Sequence, residues 1–258
     1  MKPELKDMLD ELWLRYDNPD FIEPDPISIP HSFSSQLDRE VSGLLAATIA
    51  WGNRKAIVKS ANRMMDYLDR RPYEFVMGAS ESELQLLQSY VHRTFNGADL
   101  DCFVRAIRHI CTLHGSLGEW FQSAYEQSGD MRRVMADFRA LFFTTPHPQR
   151  SEKHLSSIEK GAACKRLNMY LRWMVRQDPH GVDFGYWSRI PASALYLPLD
   201  LHSGNVARAL GLLERKQNDW KAVEEVMIGL READPNDPVK YDYALFGVGV
   251  NGAMKQFD

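Results

Sequence analysis

The chain has 258 residues, 44% of them hydrophobic, and carries 31 Lys plus Arg against 35 Asp plus Glu. That is enough for one sizeable core, and the net charge of -4 excludes a general nucleic-acid coat, so any contact with DNA has to be local. Three isolated cysteines without a C-x-x-C pair support neither a zinc site nor a four-cysteine iron–sulfur cluster, so no metal and no cofactor are expected, and the cysteine usage suits a reducing cytoplasm.

The N-terminus, MKPELKDMLDELWLRY, is charged throughout and predicts a helix over 3–16 instead of a signal peptide. DNPDFIEPDPISIPHSF follows, with four prolines, and reads as a loop. In DREVSGLLAATIAWG, Val41, Leu44, Leu45, Thr48 and Ile49 recur at i, i+3, i+4, i+7 and i+8, the spacing of one helical face. Further helices are predicted over 54–69, 99–113, 116–127 and 130–142. TTPHPQRSEKHLSS, from Thr144 to Ser157, lacks apolar periodicity and is read as the junction of two helical lobes. Beyond it, Leu167, Tyr170, Leu171, Met174 and Val175 repeat the helical spacing, and helices follow over 200–213, 219–231 and 237–246. Strand-like alternation is absent, and no apolar run approaches the roughly 20 residues of a membrane span. The expectation is an all-α protein, a single helical domain over 1–258 whose two lobes flank a cleft.

KGAACKRLNMYLRWMVRQD gathers five cations in a chain that is acidic overall. At 100° per residue, Lys165, Met169, Arg172 and Arg176 fall on the side opposite the apolar face. Two readings stand: a solvated surface helix, or a site that meets phosphate. Lys165 sits near the helix start, where neighbouring cations and the positive end of the helix dipole disfavour a protonated amine, a condition that helps a lysine act as nucleophile. In LPLDLHSGNVARALGL, Asp200 follows Pro198 and Leu199 and precedes a helix, with Ser203 three residues on, so it is an N-cap. A carboxylate held there is also placed to stabilise a positive charge developing on a sugar ring.

A helix opened by a lysine, then P-L-D-x-H opening another, resembles the helix-hairpin-helix DNA glycosylase superfamily, nearest its archaeal 8-oxoguanine glycosylases. The likeness spans roughly residues 36 to 250 and is firm at 161–176 and 197–212. The chain also resembles an uncharacterised bacterial family sharing the C-K-R-L-N-M block. The glycosylase resemblance implies Lys165 as the nucleophile that attacks the sugar C1′ and Asp200 as the assisting carboxylate. It implies that Asn53 and Arg54, in the turn after the early helix, fill the gap left by a flipped base, and that YDYALFGVG is the closing helix. The usual G-[VI]-G hairpin before the lysine is here only Lys160-Gly161-Ala162; Gly247-Val248-Gly249 is read as a helix C-cap.

Arg172 and Arg176 are the candidate phosphate contacts, although either also suits pairing with an acid. Trp51, with Trp173, Trp187 and Phe184, is a candidate for stacking on a base or for the core, and Met169 for lining the base pocket or for packing. The expected partner is damaged duplex DNA, bound by a monomer. The expected activity is removal of an oxidised or altered base, with strand cleavage if Lys165 forms an imine. Competing readings are a non-catalytic nucleic-acid-binding protein and a helical protein–protein scaffold.

Overall fold

The computed structural model describes residues 1–250. In chain order the helices are α1 (Pro3–Tyr16), α2 (Ser28–His31), α3 (Gln36–Thr48), α4 (Arg54–Tyr67), α5 (Pro72–Gly78), α6 (Glu81–Leu86), α7 (Gly97–His114), α8 (Leu117–Ser128), α9 (Met131–Phe142), α10 (Lys165–Val175), α11 (Leu201–Ala209), α12 (Trp220–Ala233) and α13 (Tyr241–Val250). Short 3-10 turns join several of them. Among the described residues the protein is all-α apart from one two-residue-stranded hairpin, in which β1 (Val91–His92) pairs antiparallel with β2 (Phe95–Asn96). The sequence reading expects no strands. Two residues per strand are too few to display alternation, and the turn uses Arg93 at φ 54° where a glycine would have announced it. No helix among the described residues is long and apolar enough to cross a membrane.

The chain forms two compact units, with divisions at Phe21/Ile22 and Ser156/Ser157. One unit is continuous, from Ile22 to Ser156. Several of its helices start on side-chain caps: Ser35 for α3, Asn53 for α4, Asn96 for α7 in a reciprocal box with Asp99, and Ser116 for α8. Its core is aromatic, with Phe95, Phe103, Phe121, Phe138 and Phe142 all fully buried. Glu40, 1% exposed, is satisfied there by the Gly118 amide at 3.0 Å.

The other unit joins α1 to everything from Ser157 onward. Trp173, Trp187, Trp220, Tyr170, Tyr241 and Tyr243 form its core. In α13, Gly247 lies against α1, where a Cβ would come within 2.3 Å of the Tyr16 ring, and Gly249 lies against α11, where a Cβ would come within 2.9 Å of His202. The GVG triplet is therefore inside the last helix and not beyond it as a cap; its glycines serve close helix approach. The 144–157 segment is partly a 3-10 turn, Gln149–His154, fastened by Arg139 to the Leu155 carbonyl at 2.9 Å and to Glu152 at 2.7 Å.

Candidate active site

The stretch before Lys165 is built by backbone geometry. Gly161 takes φ 81° and Cys164 takes φ 49°, both left-handed, so the chain reverses and enters α10 without a side-chain cap. Asn168 steadies the entry by donating to the Ala163 carbonyl at 3.0 Å. No α-helix lies between Phe142 and Lys165, so the element before the lysine is a turn and not the first helix of a hairpin pair.

Asp200 opens α11 with a reciprocal box. Its Oδ1 accepts from the His202 amide at 2.8 Å and the Ser203 amide at 3.1 Å, and Ser203 Oγ accepts from the Asp200 amide at 3.0 Å. Gly204 lets Asn218 come close enough to donate to the Asp200 carbonyl at 2.9 Å. One oxygen thus caps the helix, and the other faces the amine: Lys165 Nζ lies 4.0 Å from Asp200 Oδ2. Both side chains are about a quarter exposed, at 25% and 23%, so the pair is open to a ligand. Met169, one turn along α10 and itself buried, puts its sulfur 3.5 Å from the same Nζ.

Near this pair lies a second carboxylate. Asp242 of α13 is buried and paired with the Arg172 guanidinium. Burial pushes its carboxyl up to about 6; Arg172 opposes the rise, the Asp200 charge adds to it, and Lys165 lowers it. Nothing in residue spacing marks Asp242 as a site residue. The available signal is its chemistry: a lone acid in the otherwise apolar YDYALFGVG has to meet a cation once the helix is buried.

Arg172 and Arg176 are not on a solvent face. Arg172 is 3% exposed, contacts Asp183 at 3.3 Å and Tyr243 Oη at 3.2 Å, and lies over the Tyr243 ring. Arg176 is fully buried and meets Asp237 at 2.8 Å, Asp183 and Asp17 at 3.1 Å, and Asp178 at 3.4 Å. The helical wheel places them correctly opposite the first apolar row. That side of α10 is covered by acids from elsewhere in the chain, which corrects the expectation of two exposed phosphate contacts. Trp173 and Trp187 are core residues, and Phe184 stacks on Tyr186 with rings 5.5 Å apart.

The structure therefore brings Lys165, Met169 and Asp200 together; Trp51, Asn53 and Arg54 belong to the other unit. There Asn53 caps α4, accepting from the Ala56 amide at 3.1 Å, and Arg54 is held by Asp25 at 2.9 Å. Trp51 is half-buried, edge-on to His92 at 5.3 Å and stacked with His154 at 5.9 Å. Burial lowers the His92 pKa, helped by the charges of Arg93 and Arg63. Along α4 from the Asn53 cap, Lys55, Lys59 and Arg63 stand exposed at i, i+4 and i+8. Arg93 packs over Gly52, so closely that a Cβ there would meet its guanidinium.

The family described as "Protein of unknown function (DUF2400)" matches the chain over residues 25–251. No curated protein and no solved structure matches it.

Proposed function

The chain belongs to the DUF2400 family, and we propose that Lys165 and Asp200 form the reactive pair of a DNA glycosylase acting on an oxidised or otherwise altered base. The reading is carried by one observation, the approach of Lys165 Nζ to Asp200 Oδ2 at 4.0 Å in a partly exposed setting. Asp200 accepts a proton from the lysine, leaving a neutral amine. The amine nitrogen then bonds to C1′ as the C1′–N bond to the base breaks, its electron pair leaving with the base. Loss of a proton from nitrogen and opening of the sugar give an imine, from which strand cleavage proceeds. Asp200 passes that proton on to the departing base and, ionised again, stabilises the positive charge that develops on the sugar.

Arg172 and Arg176 are occupied by acids, so phosphate contact falls to exposed cations. The row Lys55, Lys59 and Arg63 on α4, with Arg93, suits that role. The proposed setting is a cytoplasmic monomer on damaged duplex DNA, with no cofactor in the chemistry. The same row favours one second reading, a protein that binds nucleic acid without cutting it.

Borohydride trapping on a panel of lesion-bearing duplexes tests the proposal. A covalent complex is expected with the wild-type protein, none with Lys165→Ala, and none with Lys165→Arg, which keeps the charge but forms no such imine. Absence of both trapping and base release across the panel, from folded and DNA-bound protein, refutes the glycosylase reading. Full base release by Lys165→Arg removes the lysine from the nucleophile role.

A further inference from the structure

The acids that surround Arg172 and Arg176 outnumber them. Asp17, Asp178, Asp183, Asp237 and Asp242 are five carboxylates that meet two guanidiniums, which leaves three negative charges uncompensated within the network. Lys240 stands nearby, but it is engaged by Asp10 and Asp234. Ionised carboxylates in such surroundings call for a proton or for a further cation.

One corner of the network has the geometry of a cation site. His180 Nδ1 lies 3.5 Å from Asp17 Oδ2 and 3.8 Å from Asp178 Oδ1. Both separations are longer than the roughly 2.7–3.2 Å of a hydrogen bond involving nitrogen and oxygen. Ligands held at about 2.0–2.2 Å from one ion, at angles near 90–110°, stand about 3.0–3.5 Å apart, and the observed separations lie within a few tenths of an ångström of that range. One donor atom from each of the three residues lies within 4.8 Å of the other two. A second observation is independent of this spacing. Asp17, 1% exposed, has its Oδ1 buried without a hydrogen-bond partner.

Asp17 and Asp178 are also held in place by their neighbours. Trp13 Nε1 donates to Asp17 Oδ2 at 2.6 Å, and the Val182 and Asp183 amides donate to Asp178 Oδ2 at 2.6 and 3.2 Å. The His180 amide donates to Asp178 Oδ1 at 3.1 Å. Such outer contacts fix ligand orientation. The His180 side chain is 31% exposed, which gives an ion a path in from solvent.

We propose that Asp17, Asp178 and His180 bind one divalent transition-metal ion, with Zn2+ held more tightly than Mn2+, and that this ion ties the end of α1 to the loop after α10. Two carboxylates and one imidazole form a mixed oxygen and nitrogen donor set, for which affinity rises from Mn2+ toward Zn2+ and which gives Mg2+ little advantage. The site joins two parts of the chain that spacing rules never compare, because Asp17 is remote in sequence from Asp178 and His180. It is independent of the reaction proposed at Lys165.

The full-length protein, stripped with EDTA, is titrated calorimetrically with Zn2+, Mn2+ and Mg2+, and its thermal midpoint is followed in parallel. The expected result is one equivalent of Zn2+ bound with a rise in the midpoint, weaker binding of Mn2+, and none detectable for Mg2+. His180→Ala removes a partly exposed ligand, so in EDTA it melts with the wild type, while its Zn2+ affinity falls by more than about tenfold. His180→Gln serves the same purpose should the alanine variant unfold, and His114→Ala, an exposed histidine elsewhere, leaves Zn2+ binding unchanged. Protons alone balance the network, and the proposal fails, if the wild-type protein binds neither Zn2+ nor Mn2+ stoichiometrically. It fails equally if both His180 variants bind Zn2+ as the wild type does.

Discussion

Replacing Arg176 with methionine keeps most of the side-chain volume and removes the charge. Four carboxylates then lose their common partner: Asp237 at 2.8 Å, Asp183 and Asp17 at 3.1 Å, and Asp178 at 3.4 Å. At about 3 Å and an effective dielectric constant near 20, each contact is worth about 5 kcal/mol of Coulomb energy, most of it offset by desolvation of both partners. The net loss from breaking one buried pair is about 3–5 kcal/mol, and the network puts Arg176→Met at the upper end of that range. Against a typical domain stability of about 5–15 kcal/mol, the variant should remain folded in buffer with a sharply lowered urea midpoint. Trp13, Trp173, Trp187 and Trp220 all lie in the affected unit, so tryptophan fluorescence follows its unfolding. The deficit should shrink toward pH 5, because burial already raises the Asp17 and Asp237 carboxyls and loss of Arg176 raises them further, so protons replace the missing cation. A variant within about 0.5 kcal/mol of wild type at pH 7.5 refutes this account, since surface substitutions cost no more than that. So does a deficit that does not shrink toward pH 5. Reduced DNA affinity in such a variant would report damage to the fold and not a lost phosphate contact.

Asp242 has an ordinary value of 3.8 and stands at about 6 when folded, so the native state takes up its proton first, and its favourable contribution is present below 3.8 and lost as the pH rises through 6; at about 1.4 kcal/mol per pH unit, the stability of wild type relative to Asp242→Asn should fall by about 2 kcal/mol between pH 4 and 6.5, and a flat difference in urea titrations contradicts the assignment. Asp200→Asn keeps a capping oxygen and should cost less than about 1 kcal/mol of stability, while base release falls far more; equal activity leaves Asp200 a cap only. Gly247→Ala places a methyl against the Tyr16 ring and should lower stability by about 1–3 kcal/mol, with an unchanged thermal midpoint arguing against the close packing of α1 on α13. Lys55→Gln combined with Lys59→Gln should reduce the slope of log affinity for duplex DNA against log salt by nearly 2, and an unaltered slope removes α4 from the interface.

Much of the helical architecture is legible in the sequence because each amphipathic helix announces its face and its caps. Ser35, Asn53, Asp200 and Asp219 all cap helices whose starts can be read from the residues themselves. Asn96 and Asp99 also bound a helix, but their box sits against a hairpin too short for period-two alternation to register. The association of α1 with the C-terminal helices is invisible locally, since it depends on glycines in α13 that a linear reading takes for a helix end.

The five cations of KGAACKRLNMYLRWMVRQD have different fates, and the difference is set by their distant neighbours. Lys165 remains partly exposed because its neighbour Asp200 opens the next helix of the same unit and turns one oxygen outward. Arg172 and Arg176, on the same side of the helix, are buried because Asp17, Asp183, Asp237 and Asp242 arrive from α1, the following loop and the segment containing α13. Periodicity reports which residues share a face and says nothing about what covers it. A cationic stripe in an acidic chain is thus as compatible with an internal ion network as with a phosphate-binding surface. What separates the two is whether isolated acids occur in segments that the fold must bury, and Asp242, alone in an apolar helix, is such an acid.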